Sequence, residues 1–317
     1  MFKALYLLYE ASGKDLNDGA YYLLKVAKVL GIGTLSLAIV AATGLFFLQR
    51  TLIYPSSIVE GSRTKVDLPY EFGMTRYEQV MLKTIDNVQV HGYLIKSQRL
   101  KCSQTIVFLH ANAGNMGHRL PVVKLLYDAL NCNIFMLSYR GYGLSEGSPS
   151  EQGIQKDVDA ALVFLAENEN TRGNRLYFYG QSIGGAVAID TCYRYAKAKT
   201  LPPSLTIAGL IVENTFTSLP DMVADLFPIL SFASLLLLDR WDSKSKISHL
   251  AQIPILFLAG KKDTLVPPAQ MRALYASSRS SPLPIRSFIE FQNGDHNNTC
   301  VQPGYFDHIS SWFAKLD

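Results

Sequence analysis

The chain has 317 residues, 48% of them hydrophobic, which is enough for one large α/β domain or for two small domains. Its 30 basic and 26 acidic residues are interspersed and give a net charge of +4, so no basic stripe suggests nucleic acid as a partner. The four cysteines, Cys102, Cys132, Cys192 and Cys300, include no C-x-x-C pair. This spacing argues against a zinc site or a redox pair and leaves open whether the thiols are free or bridged.

The N-terminal region contains one candidate membrane-spanning segment. Residues 1–28 form a short tail of mixed polarity, and residues 29–48 then contain no charged side chain. A helix needs about 20 apolar residues to cross a bilayer core. A buried helix of a soluble protein rarely runs so long without a charge, and a cleaved signal peptide usually has a shorter apolar segment. We therefore predict an uncleaved transmembrane helix over residues 29–48.

The charges on either side of this segment predict its orientation. The basic residues before and after it are Lys3, Lys14, Lys25 and Lys28, and Arg50, Arg63 and Lys65. The positive-inside rule then favours a cytosolic N-terminus, that is, a type II single-pass protein of the endomembrane system or plasma membrane. Residues 49–74, which include prolines and glycines, are predicted to be an extended membrane-proximal linker, and residues 75–317 the globular domain.

From Tyr77 onwards the hydrophobic pattern is that of an α/β sheet. Residues 77–84 and 88–95 nearly alternate, which predicts an antiparallel hairpin at a sheet edge. Continuous apolar strands, most of them followed by a helical pattern, lie at 105–109, 134–137, 176–179, 208–212, 255–258 and 287–291. Strands that are apolar on both faces belong to a parallel sheet covered by helices. The predicted fold is therefore α/β, with a mostly parallel eight-stranded sheet and helices on both faces, and ligands are expected at the carboxyl ends of its strands.

The candidate nucleophile lies in Gly180-Gln-Ser-Ile-Gly-Gly185, between a strand and a helical pattern. This context is what gives a G-x-S-x-G match its meaning, because the serine then sits on a sharp, strained turn. We predict that Ser182 is the nucleophile and that the backbone N–H of Ile183 is one oxyanion donor. The alternative is an ordinary glycine-rich turn, since a serine hydroxyl is a weak nucleophile unless a base activates it.

Candidates for the base and its orienting acid follow two later strands. Asp263 lies after the strand at 255–258 and His296 after the last strand, so the chain order Ser182, Asp263, His296 is that of the α/β-hydrolases. Asp263 could instead cap the following helix. Asp295 is the lesser candidate for the acid, because neighbouring side chains diverge, and His118 either lines the site or caps a helix.

The second oxyanion donor is expected in the loop His110-Ala-Asn-Ala-Gly-Asn115, which follows the strand at 105–109. We assign it to the backbone N–H of Asn112, with that of Ala111 as the neighbouring alternative. Loss of one such donor typically costs about 3–4 kcal/mol of transition-state stabilisation.

Three further motifs accompany these: Tyr139-Arg-Gly-Tyr-Gly-Leu-Ser-Glu-Gly-Ser-Pro-Ser-Glu-Gln-Gly153, Gly294-Asp-His-Asn297 and, after the span, Gln49-Arg-Thr-Leu-Ile-Tyr-Pro55. In combination, the motifs resemble those of the α/β-hydrolase superfamily. More narrowly, the chain resembles the fungal bud-emergence (Bem-forty-six-like) proteins and their animal relatives, which are single-pass membrane serine hydrolases. The resemblance covers nearly the whole chain and implies a carboxylic ester or acyl thioester hydrolase; some related membrane proteins are depalmitoylases. Relatives usually have glycine where this chain has Ala111, and a φ above zero there would cost alanine roughly 1 kcal/mol.

Residues 227–238 are apolar nearly all round but too few to span a bilayer. One interpretation is a helix buried against the sheet. The other is a lid or membrane-dipping helix, within residues 219–250, that admits acyl chains to Ser182.

Two other functions stay open beside the serine hydrolase. One is a catalytically weak, membrane-tethered interaction protein on a hydrolase fold, which Ala111 leaves open. The other is a serine peptidase, although no propeller-like domain that would select peptides is apparent. The expected partners are the lipid bilayer and an acyl ester or thioester substrate. No metal or organic cofactor is expected, because the protein supplies the nucleophile, the base and the oxyanion donors.

Overall fold

The structure, a computed structural model, describes residues 16–99, 101–198, 202, 204–279 and 285–316. The chain divides into two compact units, Met1–Gln49 and Arg50–Asp317. Helix α1, Leu16–Ile53, begins in the first unit and ends in the second. One stretch of α1, Gly19–Leu37, is long and apolar enough to cross a membrane, and none of it is buried within the protein. The predicted span at residues 29–48 overlaps this stretch, and its limits stay a prediction; residues 1–15 of the predicted tail lie outside the described residues.

The second unit is built on one sheet. Its strands are β1 Tyr77–Lys83, β2 Gln89–Ile95, β3 Gln104–Leu109, β4 Asn133–Leu137, β5 Arg175–Gln181, β6 Thr206–Glu213, β7 Ile255–Gly260 and β8 Arg286–Phe291. The eight strands lie in the order β1-β2-β4-β3-β5-β6-β7-β8. Strand β2 pairs antiparallel with β1 and β4, and the other neighbouring pairs are parallel. The predicted class, a mostly parallel eight-stranded α/β sheet, is confirmed.

Helices cover both faces of this sheet. They are α2 Leu120–Leu130, α3 Glu151–Glu167, α4 Ile183–Ala198, α5 Leu219–Leu226, α6 Ser243–Ile247, α7 Pro268–Ser278 and α8 Tyr305–Ala314. Alternate side chains of a strand enter different cores, as in β3, where Val107 belongs to one cluster and Phe108 to the other. Helices α3, α4 and α7 contribute to the first cluster, and α2 and α8 to the second. Two-sided burial explains why these strands are apolar without alternation.

The register brings the carboxyl ends of five strands to one edge. Leu109 pairs with Gly180, Gln181 with Glu213, and Glu213 in turn with Leu258. Gly260 pairs with Phe291 at the end of β8. The loops that follow β3, β5, β6, β7 and β8 therefore leave the sheet side by side, at the edge where ligands bind in such sheets.

The segment predicted as an extended linker is folded, and from Arg50 onwards it is part of the second unit. Helix α1 continues to Ile53, turns occupy residues 56–64, and a 3-10 helix spans Pro69–Phe72. The side-chain amide of Asn115 donates to the carbonyl oxygens of Ser62 and Lys65, each at 2.8 Å. A side chain fifty or more residues away thus satisfies the backbone of this segment, which explains why no local pattern predicts its conformation.

Residues 227–238 do not form the helix buried against the sheet that was one interpretation of their sequence. Helix α5 ends at Leu226, and a 3-10 helix, Pro228–Leu236, follows. Pro228 lacks the N–H that would continue α5, and its ring disfavours a helical Phe227. The side chains of Phe227, Phe232 and Leu235 are exposed. Whether this segment acts as a lid stays a prediction.

Candidate active site

Ser182 occupies a strained turn between β5 and α4. Its φ is 55°, in the left-handed region that a non-glycine residue rarely adopts. The turn is tight because a Cβ at Gly180 would collide with the carbonyl oxygen of Gly184. Two hydrogen bonds hold it: the Ser182 N–H donates to the carbonyl oxygen of Glu213 at 2.9 Å, and Thr215 Oγ1 donates to the Ser182 carbonyl oxygen at 2.6 Å. This is the geometry expected of a nucleophile elbow.

Asp263 and His296 are in direct contact. Oδ2 of Asp263 lies 2.7 Å from Nδ1 of His296, and both side chains are buried. The other carboxylate oxygen, Oδ1, accepts from the backbone N–H groups of Leu265 and Val266 at 2.9 and 2.8 Å. Asp263 therefore organises the loop after β7 and binds the imidazole at the same time, and it is not the N-cap of α7, a position that Pro267 occupies.

The alternative acid, Asp295, is engaged elsewhere. Its Oδ1 accepts from the N–H groups of Asn297 and Asn298, and its Oδ2 accepts from the Asn298 amide. These bonds stay within the turn that carries His296. The carboxylate in contact with the imidazole is that of Asp263.

The amide side chains of Gln181 and Asn214, which were not predicted to belong to the site, join the ends of β5, β6 and β7 to the loop that carries His296. Gln181 Nε2 donates to the carbonyl oxygen of His296 and to Glu213 Oε1, both at 3.3 Å. Asn214 Nδ2 donates to the carbonyl oxygen of Asp295 at 3.0 Å, and its Oδ1 accepts from the Gly260 N–H at 2.8 Å. Within the described part of the chain no hydrogen bond joins the Ser182 hydroxyl to His296.

Glu213, at the end of β6, binds Gln181 and two tyrosine hydroxyls in the protein interior. It is completely buried, and its Oε2 accepts from the Tyr305 hydroxyl at 2.6 Å and also from the Tyr179 hydroxyl. Burial raises the pKa of the Glu213 carboxyl above its usual range. The hydroxyl and amide donors around it satisfy a group whose burial would otherwise be costly. The sequence signal for this cluster was the position of Glu213, a charged residue at the carboxyl end of the otherwise apolar strand β6.

The predicted oxyanion loop lies beside the elbow. A Cβ at Gly184 would collide with the carbonyl oxygen of Leu109, so the first turn of α4 lies directly against the end of β3. Among the described residues no acceptor bonds the backbone N–H of Ala111, Asn112 or Ile183. Ala111 is not among the residues of positive φ, so alanine fits there without the strain that a left-handed backbone would impose.

Two histidines near this loop have structural roles. His110 is buried against the ring of Tyr139, with centroids 4.2 Å apart, and its Nδ1 lies 2.7 Å from the carbonyl oxygen of Ala111. Burial lowers the pKa of His110 to about 3, so the ring is neutral and its Nδ1–H donates to that carbonyl. His118 accepts from the Asn115 N–H in a capping box, which favours the interpretation of His118 as a cap. Among the described residues no group of three or more His, Cys, Asp or Glu is arranged to hold a metal ion.

Comparison with known proteins identifies relatives along nearly the whole chain. No family model matches it. Protein bem46 of Schizosaccharomyces pombe is 42% identical over 92% of this chain and 94% of its own length. The membrane protein YNL320W of Saccharomyces cerevisiae is 36% identical over 92% of this chain and 98% of its own length. The α/β-hydrolase domain-containing protein WAV2 of Arabidopsis thaliana is 37% identical over 86% of this chain and 89% of its own length.

Solved structures agree on the fold. The esterase Pf2001 of Pyrococcus furiosus superposes with a TM-score of 0.63 and 19% identity, over 81% of this chain and 100% of its own. At this identity the likeness concerns the fold alone. With the α/β-hydrolase sheet, the strained serine turn and relatives of this similarity, the chain belongs to the Bem46-like family of α/β-hydrolase-domain proteins.

Proposed function

We propose that this α/β-hydrolase is a membrane-anchored serine hydrolase that cleaves the carboxylic ester or acyl thioester of a lipid-like substrate. The observation that carries the proposal is the 2.7 Å contact between Asp263 and His296, on loops that leave the same sheet edge as Ser182. A carboxylate bound to Nδ1 leaves Nε2 as the basic nitrogen of the imidazole. That is the tautomer a general base for serine requires.

The chemistry proceeds through an acyl-enzyme. Ser182 Oγ attacks the acyl carbon while His296 takes the hydroxyl proton, and the oxyanion is bound by the N–H of Ile183 and that of Asn112 or Ala111. His296 then gives this proton to the leaving alcohol or thiol as the carbon–oxygen or carbon–sulfur bond breaks. In the second half, His296 takes a proton from water as the water oxygen attacks the acyl carbon, and it returns this proton to Ser182 Oγ as the acyl–oxygen bond breaks and the acid product leaves.

The membrane anchor is supported by two findings. Helix α1 contains a stretch long and apolar enough to span a bilayer, and the similar yeast protein YNL320W is named a membrane protein. Type II orientation, with the hydrolase unit outside the cytosol, rests on the positive-inside rule. An anchored hydrolase meets substrates that are themselves dissolved in or attached to the bilayer, which favours acyl-lipid-like substrates.

The first test is labelling of the detergent-solubilised full chain with a fluorophosphonate probe. Wild type should label, Ser182→Ala should not, and His296→Ala should label far more slowly because the base is lost. Ser245→Ala and His249→Ala, both at exposed positions, are the matched controls and should label like wild type. Absence of labelling in folded wild type would overturn the enzyme assignment in favour of an interaction protein.

A second measurement separates substrate classes. Wild type and Ser182→Ala are compared on p-nitrophenyl esters, acyl thioesters and peptide amides of increasing acyl length. Hydrolysis of esters or thioesters that depends on Ser182 and rises with chain length is the expected result. Preferential cleavage of peptide amides would instead identify a serine peptidase.

A further inference from the structure

An apolar surface lies on the hydrolase unit. From Leu226 to Leu238 the chain contains no charged side chain, and we name this stretch the apolar segment. Phe232 is 63% exposed and Leu235 is 81% exposed, and Phe227 is exposed beside them. A large apolar side chain left in water forgoes about 1.5–3 kcal/mol relative to burial. Exposed apolar side chains concentrated in one short segment favour a surface that is covered in the working protein.

The residues that directly follow the apolar segment, Asp239 and Trp241, which we call its foot, form hydrogen bonds with Tyr54, which follows the predicted membrane span. Asp239 Oδ2 accepts from the Tyr54 hydroxyl at 3.0 Å, and Trp241 Nε1 donates to the same hydroxyl at 2.9 Å. Tyr54, Asp239 and Trp241 are all buried, and Arg50 Nε lies 3.6 Å from Asp239 Oδ2. Burial together with the Asp239 charge raises the pKa of Tyr54 far above its usual value, so the hydroxyl keeps its proton and its bond.

The same stretch of chain also contacts the oxyanion loop. Asn112 Nδ2 donates to the carbonyl oxygen of Ile53 at 3.4 Å. The predicted span ends at residue 48, so Arg50 lies only about 3 Å further along a helix that rises 1.5 Å per residue. Within the second unit, Arg50 and Ile53, the C-terminal end of the apolar segment and the loop beside Ser182 are therefore held together, a few residues along the chain from the end of the predicted span.

We propose that the apolar segment inserts into the bilayer that holds the span. The charges at its foot suit this location. Arg240 is exposed next to Asp239, and Lys244 is exposed one turn further on, where cationic side chains would meet lipid phosphates. This inference rests on the membrane anchor of the proposed function and requires no hydrolysis.

The test measures the depth of two probes in lipid. The full chain with Cys102→Ser is reconstituted in phosphatidylcholine vesicles, and an environment-sensitive fluorophore is attached at Leu235→Cys or Phe232→Cys. The matched control is Ile85→Cys, an apolar residue that is 89% exposed on the turn between β1 and β2. Because an interfacial segment penetrates about 5–10 Å, nitroxide lipids should quench the Leu235 and Phe232 probes at least about twofold more than the Ile85 probe.

The outcomes distinguish this proposal from the proposed function. Quenching at both test positions that persists in a Ser182→Ala background supports insertion whatever the chemistry. Equal quenching at Leu235, Phe232 and Ile85 overturns it, and the segment would then be covered by protein. Fluorophosphonate labelling in the same samples reports on the nucleophile separately.

Discussion

Oδ2 of Asp263 lies 2.7 Å from Nδ1 of His296, while Oδ1 of the same carboxylate is bound by two backbone N–H groups. Asp263→Asn retains the size and the backbone acceptor but presents an amide donor to the imidazole. The ring would then adopt the tautomer that cannot accept the serine proton, so we expect kcat to fall by about 10⁴-fold with little change in KM. Steady-state hydrolysis of a p-nitrophenyl ester measures this, with circular dichroism to verify folding. A loss smaller than tenfold would show that Asp263 does not orient the base.

Asn214 holds the end of β7 against the His296 loop and has a φ of 44°. Asn214→Gly keeps this backbone conformation accessible and removes the side-chain bonds, and Asn214→Asp keeps the acceptor but loses the donors. Since small displacements of a base greatly slow proton transfer, both variants should lose about tenfold or more in kcat/KM. Asn214→Ala adds backbone strain and should also unfold at lower urea. Wild-type kinetics in the glycine and aspartate variants would contradict the role of Asn214 as a positioning residue.

The variant Ala111→Gly tests whether the predicted oxyanion loop needs glycine at position 111. Because its backbone is outside the left-handed region, Ala111→Gly relieves no strain and only increases the freedom of the unfolded chain. We expect the variant to be less stable by about 0.5–1 kcal/mol, measured by urea unfolding. A gain in stability would mean that the loop adopts a positive φ in solution.

His91 makes the stability of the protein depend on pH. Its side chain is fully buried against the ring of Tyr93. Among the described residues, neither ring nitrogen has a hydrogen-bond partner. Burial lowers the pKa of His91 to about 4. An unfolded histidine titrates near 6.5, so between these values the unfolded state binds more protons and stability falls as pH falls. At pH 5 this single group should cost about 2 kcal/mol relative to pH 8.

The comparison variant for this effect is His91→Phe, which cannot titrate and can pack against the same neighbours. Urea unfolding at pH 8 and pH 5 should show a larger loss for wild type than for His91→Phe. His249→Ala, at an exposed histidine, should behave like wild type. Equal losses in wild type and His91→Phe would show that His91 does not carry this pH dependence.

Local chemistry was enough to predict the sheet and the positions of Ser182, Asp263 and His296 at its edge. Apolar runs without alternation require burial on both faces, and a serine between such a strand and a small-residue helix implies the sharp turn. The contact of Asp263 with His296 follows from parallel strands whose ends lie side by side. Whether these residues perform the predicted chemistry is what the labelling experiment decides.

The supporting contacts could not be predicted in the same way. Glu213 meets Tyr305 across 92 residues, and Asn214 meets Asp295 across 81. No spacing rule connects residues so far apart when they lie on different strands and helices. The turns at residues 56–64 were missed for the same reason, since their partner Asn115 belongs to another part of the chain.

Residues 50–74 are part of the folded second unit, which changes where a fragment without the predicted membrane span should begin. A fragment that starts at the first strand, near residue 75, would leave Trp241 and Asn115 with unsatisfied polar groups, because Tyr54, Ser62 and Lys65 would be missing. A fragment that starts at Arg50 keeps those partners and omits the predicted membrane span. For crystallisation or assay of the second unit alone, the useful boundary is therefore the last turn of α1.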